Sequence, residues 1–128
     1  KQCIVTILDT DGQTIKDMGC HSEDSVDYPD FADQVCAAVI SGLVDCGILV
    51  CGTGIGMSMA ANKREGIRAA LCHDEYTARL SREHNDANVL CLGDRVIGKG
   101  VAEGIVKIWL STTFSAGRHQ IRIDKFSG

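Results

Sequence analysis

A chain of 128 residues with 45% hydrophobic and 23% charged residues is of a size for one domain with one core, taken as residues 1–128, and too apolar for a disordered segment. Its 17 acidic side chains outnumber 13 basic ones, a net charge of −4, and no basic stripe stands out, which argues against nucleic acid as a partner. With no apolar run of about eighteen residues and no basic-apolar-small opening, the expectation is a soluble protein with neither a membrane span nor a secretory signal.

In chain order, the β-branched run Ile4-Val5-Thr6-Ile7 reads locally as a strand. Asp27-Tyr28-Pro29-Asp30 opens a helix in which Phe31, Val35, Val39 and Leu43 recur at helical spacing, with Pro29 suited to the first turn and Gly42 near the end. Gly47 to Cys51 is a short apolar strand. A helix over Ile55 to Lys63 has Met57, Ala60 and Ala61 available for burial, and after the turn at Gly66 a second apolar strand covers Ile67 to Cys72. His73-Asp74-Glu75 starts the next helix, which runs through Tyr76, Ala78, Leu80 and Ser81 to the polar group Glu83-His84-Asn85-Asp86. Asn88 to Leu92 is a third strand. Gly98 and Gly100 lead into a helix with Val101, Ile105, Ile108 and Trp109 on one face, and the tail from Gly117 carries Arg118, His119 and Arg122. Strands this apolar, alternating with helices, predict an α/β fold with a parallel sheet covered on both faces.

The seven cysteines are Cys3, Cys20, Cys36, Cys46, Cys51, Cys72 and Cys91, an odd number with no C-x-x-C pair and no zinc spacing. A disulfide framework is not expected, and the usage suits a reducing cytoplasm. Cys36 and Cys72 lie in apolar runs, where a thiol behaves as a small hydrophobe. Cys51 differs, because Gly52, Gly54 and Gly56 follow it at alternate positions where the strand ends and a helix begins. Glycines there leave backbone N–H groups uncovered to converge on an anion, and the helix dipole favours a thiolate.

Ligands of such sheets bind off the carboxyl ends of the strands, which puts Cys51 to Gly56, His73 and Gly93 to Arg95 near one rim. The loop is not a dinucleotide fingerprint, since the third glycine would fall on Met57, and no Gly-Lys-Ser/Thr follows for a P-loop. A cysteine phosphatase loop would need an arginine where Met57 stands. What remains is a phosphorylated or carbonyl-bearing small molecule handled by a cysteine.

Seven blocks carry a specific resemblance: Asp27-Tyr28-Pro29, Cys51-Gly-Thr-Gly-Ile-Gly-Met-Ser58, Ala60-Ala-Asn-Lys63, Gly66-Ile-Arg-Ala69, His84-Asn-Asp-Ala-Asn-Val89, Gly93-Asp-Arg95 and Gly117-Arg-His-Gln-Ile-Arg122. From about Gly12 to Lys125 the chain resembles ribose-5-phosphate isomerase type B. The resemblance implies a Rossmann-like three-layer α/β/α sandwich and a homodimer or dimer of dimers with shared active sites. It also implies no cofactor, no metal, a small-molecule sugar phosphate as substrate, and an aldose–ketose interconversion of ribose 5-phosphate and ribulose 5-phosphate through a cis-enediol in the pentose phosphate pathway.

By the same resemblance Cys51 is the base that moves a proton between C1 and C2, and Thr53 relays protons between O1 and O2. The amides of Gly52, Gly54, Ile55 and Gly56 form the hole for the enediolate. His84 opens the furanose ring and, with Asn85, reaches the site from the neighbouring subunit. Arg95, Arg118 and Arg122 hold the phosphate, and Tyr28 lines the substrate. Some members use a glutamate of the glycine loop as base; Met57 stands at that position, which leaves Cys51. Family members begin with a strand ending in Gly-Cys-Asp-His-Ala-Gly, which this sequence does not contain, and by the alignment of motifs Lys1 falls inside the first helix, making Cys3 to Leu8 helical. Two alternatives accompany this reading: an isomerase of a six-carbon substrate such as allose 6-phosphate, or a noncatalytic phosphosugar-binding domain where that first strand is absent.

Plainer roles exist for several residues. Thr53 is also suited to cap a helix, and Asp27 and Tyr28 to form a turn. His73 reads as a helix-start residue, His21 as a solvated loop residue, and Arg64 and Arg68 as members of solvated faces. His119 either assists the phosphate or lies exposed.

Overall fold

The computed structural model describes Leu8, residues 12–18 and residues 27–126. The readings of Ile4 to Ile7, Cys3, Cys20 and His21 lie outside these residues. Leu8 itself has helical backbone and packs against one core cluster. From residue 27 the elements are α1 (Tyr28–Ile40), β1 (Gly47–Cys51), α2 (Ile55–Asn62), β2 (Ala69–Leu71), α3 (Glu75–Glu83), β3 (Val89–Gly93), α4 (Lys99–Ser111) and α5 (Arg118–Asp124).

The described strands form a parallel sheet in the order β1-β3-β2. Gly47 to Cys51 pair with Val89 to Gly93, and Ala69 to Leu71 with Val89 to Cys91. Every residue of the central β3 is buried, which explains an apolar run without polar alternation: both of its faces are covered. Val89 and Cys91 point into a cluster with Ala32 and Cys36 of α1 and Met57 and Ala61 of α2. Leu90 and Leu92 point the other way, into Ala78 of α3 and Ile105, Val106 and Trp109 of α4. The period-2 alternation of a strand thus produces the three layers.

α1 begins with Pro29 in its first turn and is capped at Ser41; Gly42 N–H reaches Val39 O at 3.2 Å, and the Gly42 φ of +79° turns Leu43 N–H back onto Ala38 O at 3.0 Å. Leu43 therefore lies beyond the helix and is exposed, contrary to its place in the predicted apolar stripe. Val35 and Val39 of that stripe do pack against the core, but the fully buried positions are Ala32, Cys36 and Ala38, because small side chains let α1 approach α2 and β1 closely. A Cβ on Gly47 of β1 would meet Val35 Cγ1 at 2.5 Å.

β2 is shorter than the predicted Ile67–Cys72. Two asparagines replace the ladder at its amino end: Asn62 exchanges hydrogen bonds of 2.8 and 3.0 Å with the backbone of Ala69, while Asn88 accepts from Arg68 N–H at 2.8 Å and donates to Gly66 O at 2.8 Å. Arg68 is not on a solvated face as expected. Its Nε donates to Asp86 O at 2.8 Å and its Nη2 lies 3.4 Å from Asp86 Oδ2, so it pins the turn into β3. Arg64 does sit at the surface, paired with Asp33 at 3.0 Å. In α4, Val101 is exposed and Val106 takes the buried place expected of it.

Candidate active site

β1 ends at Cys51, and Gly54, with φ of +81°, turns the chain into α2. Only a residue without Cβ fits here, since one on Gly54 would meet Leu71 Cδ1 at 2.5 Å and Leu92 C at 3.0 Å. Cys51 Sγ accepts a hydrogen bond from Gly54 N–H at 3.1 Å, and Thr53 Oγ1 accepts from Ile55 N–H at 3.2 Å. Two of the amides expected to face an anion are therefore turned onto the loop's own side chains, because unpaired donors at a helix start bond the nearest acceptor. Gly56 lies in the first turn of α2, beneath Tyr28: a Cβ there would run into the phenol oxygen.

The loop after β3 closes on the same place. Asp94 N–H donates to Cys51 O at 2.9 Å and Arg95 N–H to Gly52 O at 3.1 Å. Gly93 lies so near the Thr53 backbone that a Cβ would be 2.5 Å from Thr53 O. The Arg95 side chain lies over Gly52, where a Cβ would be 3.5 Å from its Cδ and 3.6 Å from its Cζ. Tyr28, Cys51 to Gly56 and Arg95 thus come together at the carboxyl rim of the sheet. His73 follows β2 on that rim and precedes Asp74, the cap of α3, whose carboxylate accepts from Thr77 N–H at 2.7 Å. The backbone and hydroxyl hydrogen bonds of Thr77 hold the Asp74 carboxyl below its ordinary pKa.

The remaining candidates sit elsewhere. α3 runs from that rim back toward the start of β3, about 13 Å for its nine residues, so His84 at its C-cap and Asn85 beyond lie toward the opposite end of the sheet from Cys51. There the tail returns: Ser115 N–H donates to Glu83 O at 2.9 Å, Ile123 of α5 is buried, and His119 stacks on His84 with ring centroids 4.1 Å apart and planes 10° from parallel. Arg118 and Arg122, one turn apart on α5, are exposed beside them. Desolvation lowers the His119 pKa, reinforced by His84, Arg118 and Arg122 and opposed by Glu83. Asn85 also lines a cleft of about 340 Å³ with Asn62, Arg68, Ser81 and Phe126. Sequence reasoning missed the clamp at Gly93, signalled only by a glycine closing an apolar strand, and the stacked histidines, which no spacing announces.

The other described thiols are of a different kind. Burial pushes the pKa of Cys36, Cys46 and Cys72 up, and that of Cys91 up to about 12, so they stay protonated and unreactive near neutral pH. Cys51 is partly exposed at the rim. Among the described residues no group of three or more His, Cys, Asp or Glu side chains is placed to hold a metal ion, and no helix is long and apolar enough to cross a membrane.

A family model described as Ribose/Galactose Isomerase matches residues 1–126. The chain is 50% identical over 124 residues to ribose-5-phosphate isomerase B of Escherichia coli, covering 97% of this chain and 83% of that protein. Its fold is similar to the solved ribose-5-phosphate isomerase B of Clostridium thermocellum, with a TM-score of 0.97 and 52% identity over 98% of this chain and 85% of that one. The ribose 5-phosphate isomerase of Thermotoga maritima is similar at a TM-score of 0.96 and 49% identity, over 98% and 87% of the two chains.

Proposed function

Because the chain belongs to the ribose/galactose isomerase family, we propose that this isomerase interconverts ribose 5-phosphate and ribulose 5-phosphate. The observation that carries the reading is the convergence of Cys51, the glycine loop and Arg95 on one rim. In the proposed reaction His84 opens the furanose ring, exposing the C1 aldehyde. The Cys51 thiolate takes the C2 proton, the electron pair moves into a C1–C2 double bond, and the charge collects on O1. Loop amides stabilise that oxyanion, those of Gly54 and Ile55 exchanging Cys51 Sγ and Thr53 Oγ1 for the substrate oxygen. Thr53 carries a proton from O2 to O1, and Cys51 returns its proton to C1, leaving a ketone at C2. Arg95, with Arg118 and Arg122, binds the phosphate, a remote handle whose binding energy positions the reacting carbons, and Tyr28 and Asn85 line the sugar.

This chemistry draws on the chain's own side chains and backbone, with no cofactor. The reading includes a single catalytic domain, a homodimer or dimer of dimers whose sites are shared between subunits, and a place in cytoplasmic pentose phosphate metabolism. Cys51→Ala should lower kcat for ketose formation by about a hundredfold or more while sugar-phosphate binding stays near wild type. Wild-type activity in that variant would refute the assignment of the base. Parallel assays with ribose 5-phosphate and allose 6-phosphate decide chain length, and a wild-type protein that binds but converts neither would be a noncatalytic binding domain.

A further inference from the structure

We propose that His119 is a positioning residue, its ring lying flat on His84 and holding that imidazole in the one orientation from which it works on the cyclic sugar. The proposal rests on the role given above to His84. The His84 side chain is 37% exposed, with Nε2 3.7 Å from Glu83 Oε1, a single edge contact that leaves the tilt of the ring to its face. The stack at 4.1 Å and 10° supplies a face for it. The backbone around the pair is built to make that contact. Ser115 N–H donates to Glu83 O, the carbonyl just before His84. Ala116 then takes φ of +54° and Gly117 +61°, two left-handed residues in succession, of which the alanine is the strained one. His119 N–H closes the turn on Ala116 O at 3.1 Å, and Ile123 anchors the following helix in the interior. Strain kept at a surface turn, where it returns one imidazole onto another, is what a positioning device requires.

The chemistry favours the same role. Desolvation, His84 itself and the neighbouring Arg118 and Arg122 lower the His119 pKa, against the pull of Glu83. The lowered His119 pKa disfavours a second cation against the face of His84. A flat partner that carries no charge could take the same place.

The test compares His119→Ala with His119→Phe. Each is checked for folding by the fluorescence melt of Trp109, the sole tryptophan. In wild type, proton NMR should show the His84 ring resonances shifted upfield by the stacked ring; alanine should release them and phenylalanine should keep them. Alanine should lower kcat for ribose 5-phosphate about tenfold with KM within about twofold, and phenylalanine should restore kcat to within about threefold of wild type. Arg118→Ala, by contrast, should act mainly through KM. A phenylalanine variant that keeps the stack but is as slow as alanine would overturn the proposal, since the imidazole nitrogens of His119 would then be what matters. So would an alanine variant with wild-type kcat. If the wild-type protein isomerises no sugar phosphate, the functional reading falls, and this inference falls with it.

Discussion

A thiol in this chain takes its chemistry from its depth. Cys51 sits where a strand surfaces at the sheet's rim and receives an N–H from Gly54 at 3.1 Å, whereas Cys91, three residues into the central strand, has no solvent contact. An unfolded thiol ionises near the reference value of 9.0, but the fold keeps Cys91 protonated up to about 12. The folded state thus binds the extra proton between those values. The stability that comes from keeping Cys91 neutral is complete below pH 9 and is lost as pH rises toward 12, about 4 kcal/mol across the whole range. Urea unfolding followed by Trp109 fluorescence should show stability falling from about pH 8 to about pH 10, with Cys91→Ala reducing the slope. A flat profile would show that Cys91 is more solvated than its position implies. The distinction between Cys51 and its fellows was legible in the sequence because three glycines follow Cys51. The ranking of the buried thiols was not, since depth within a sheet depends on strand order.

Strands and helices meet at the site through glycines, and the same substitution should act oppositely at two of them. A methyl group on Gly93, at the end of β3, would strike the Thr53 backbone at 2.5 to 2.6 Å, and backbone cannot rotate away. Gly93→Ala should cost about 2 kcal/mol and disturb the glycine loop after β1. Gly104, mid-way along α4, would direct its methyl at the carboxylate end of the exposed Glu75 side chain, which can swing into solvent. Gly104→Ala should therefore raise stability by about 0.5 kcal/mol through helix propensity, with activity unchanged. Chemical denaturation of the two variants checks both signs; equal destabilisation would refute the distinction between rigid and yielding neighbours. At this scale most elements from α1 to α4 could be read from apolar runs and turn residues. The differences came where tertiary contact overrode periodicity: Val35 and Val39 of the predicted stripe do pack against the core, but Ala32 and Cys36 take the deepest places of α1 because two helices pack closely there, and Leu43 falls outside. Asn62 and Asn88 delay the start of β2 by side-chain hydrogen bonds that no run of hydrophobicity reveals.

Across the whole molecule, a parallel sheet separates what the proposed reaction must unite. Strand ends gather Tyr28, Cys51 to Gly56 and Arg95 at one rim, a placement legible from the rule that ligands bind at carboxyl ends. α3 must then run back, and it carries His84 away from that rim to where α5 brings Arg118, His119 and Arg122. The meeting of α3 and α5 depends on the tail's return after α4, which local spacing does not encode. In the shared-site reading, a two-fold partner supplies the second group: Cys51 of one subunit works with His84 of the other. Cys51→Ala and His84→Ala homodimers should each be inactive. Mixed under conditions that allow subunit exchange, random pairing makes about half the dimers hybrid, and each hybrid has one site with both native residues, so about a quarter of wild-type activity should return. Sedimentation velocity and differently tagged subunits verify that hybrids form. Hybrids without activity would mean that Cys51 and His84 do not act in one site across the interface, and that ring opening and proton transfer do not share a composite pocket.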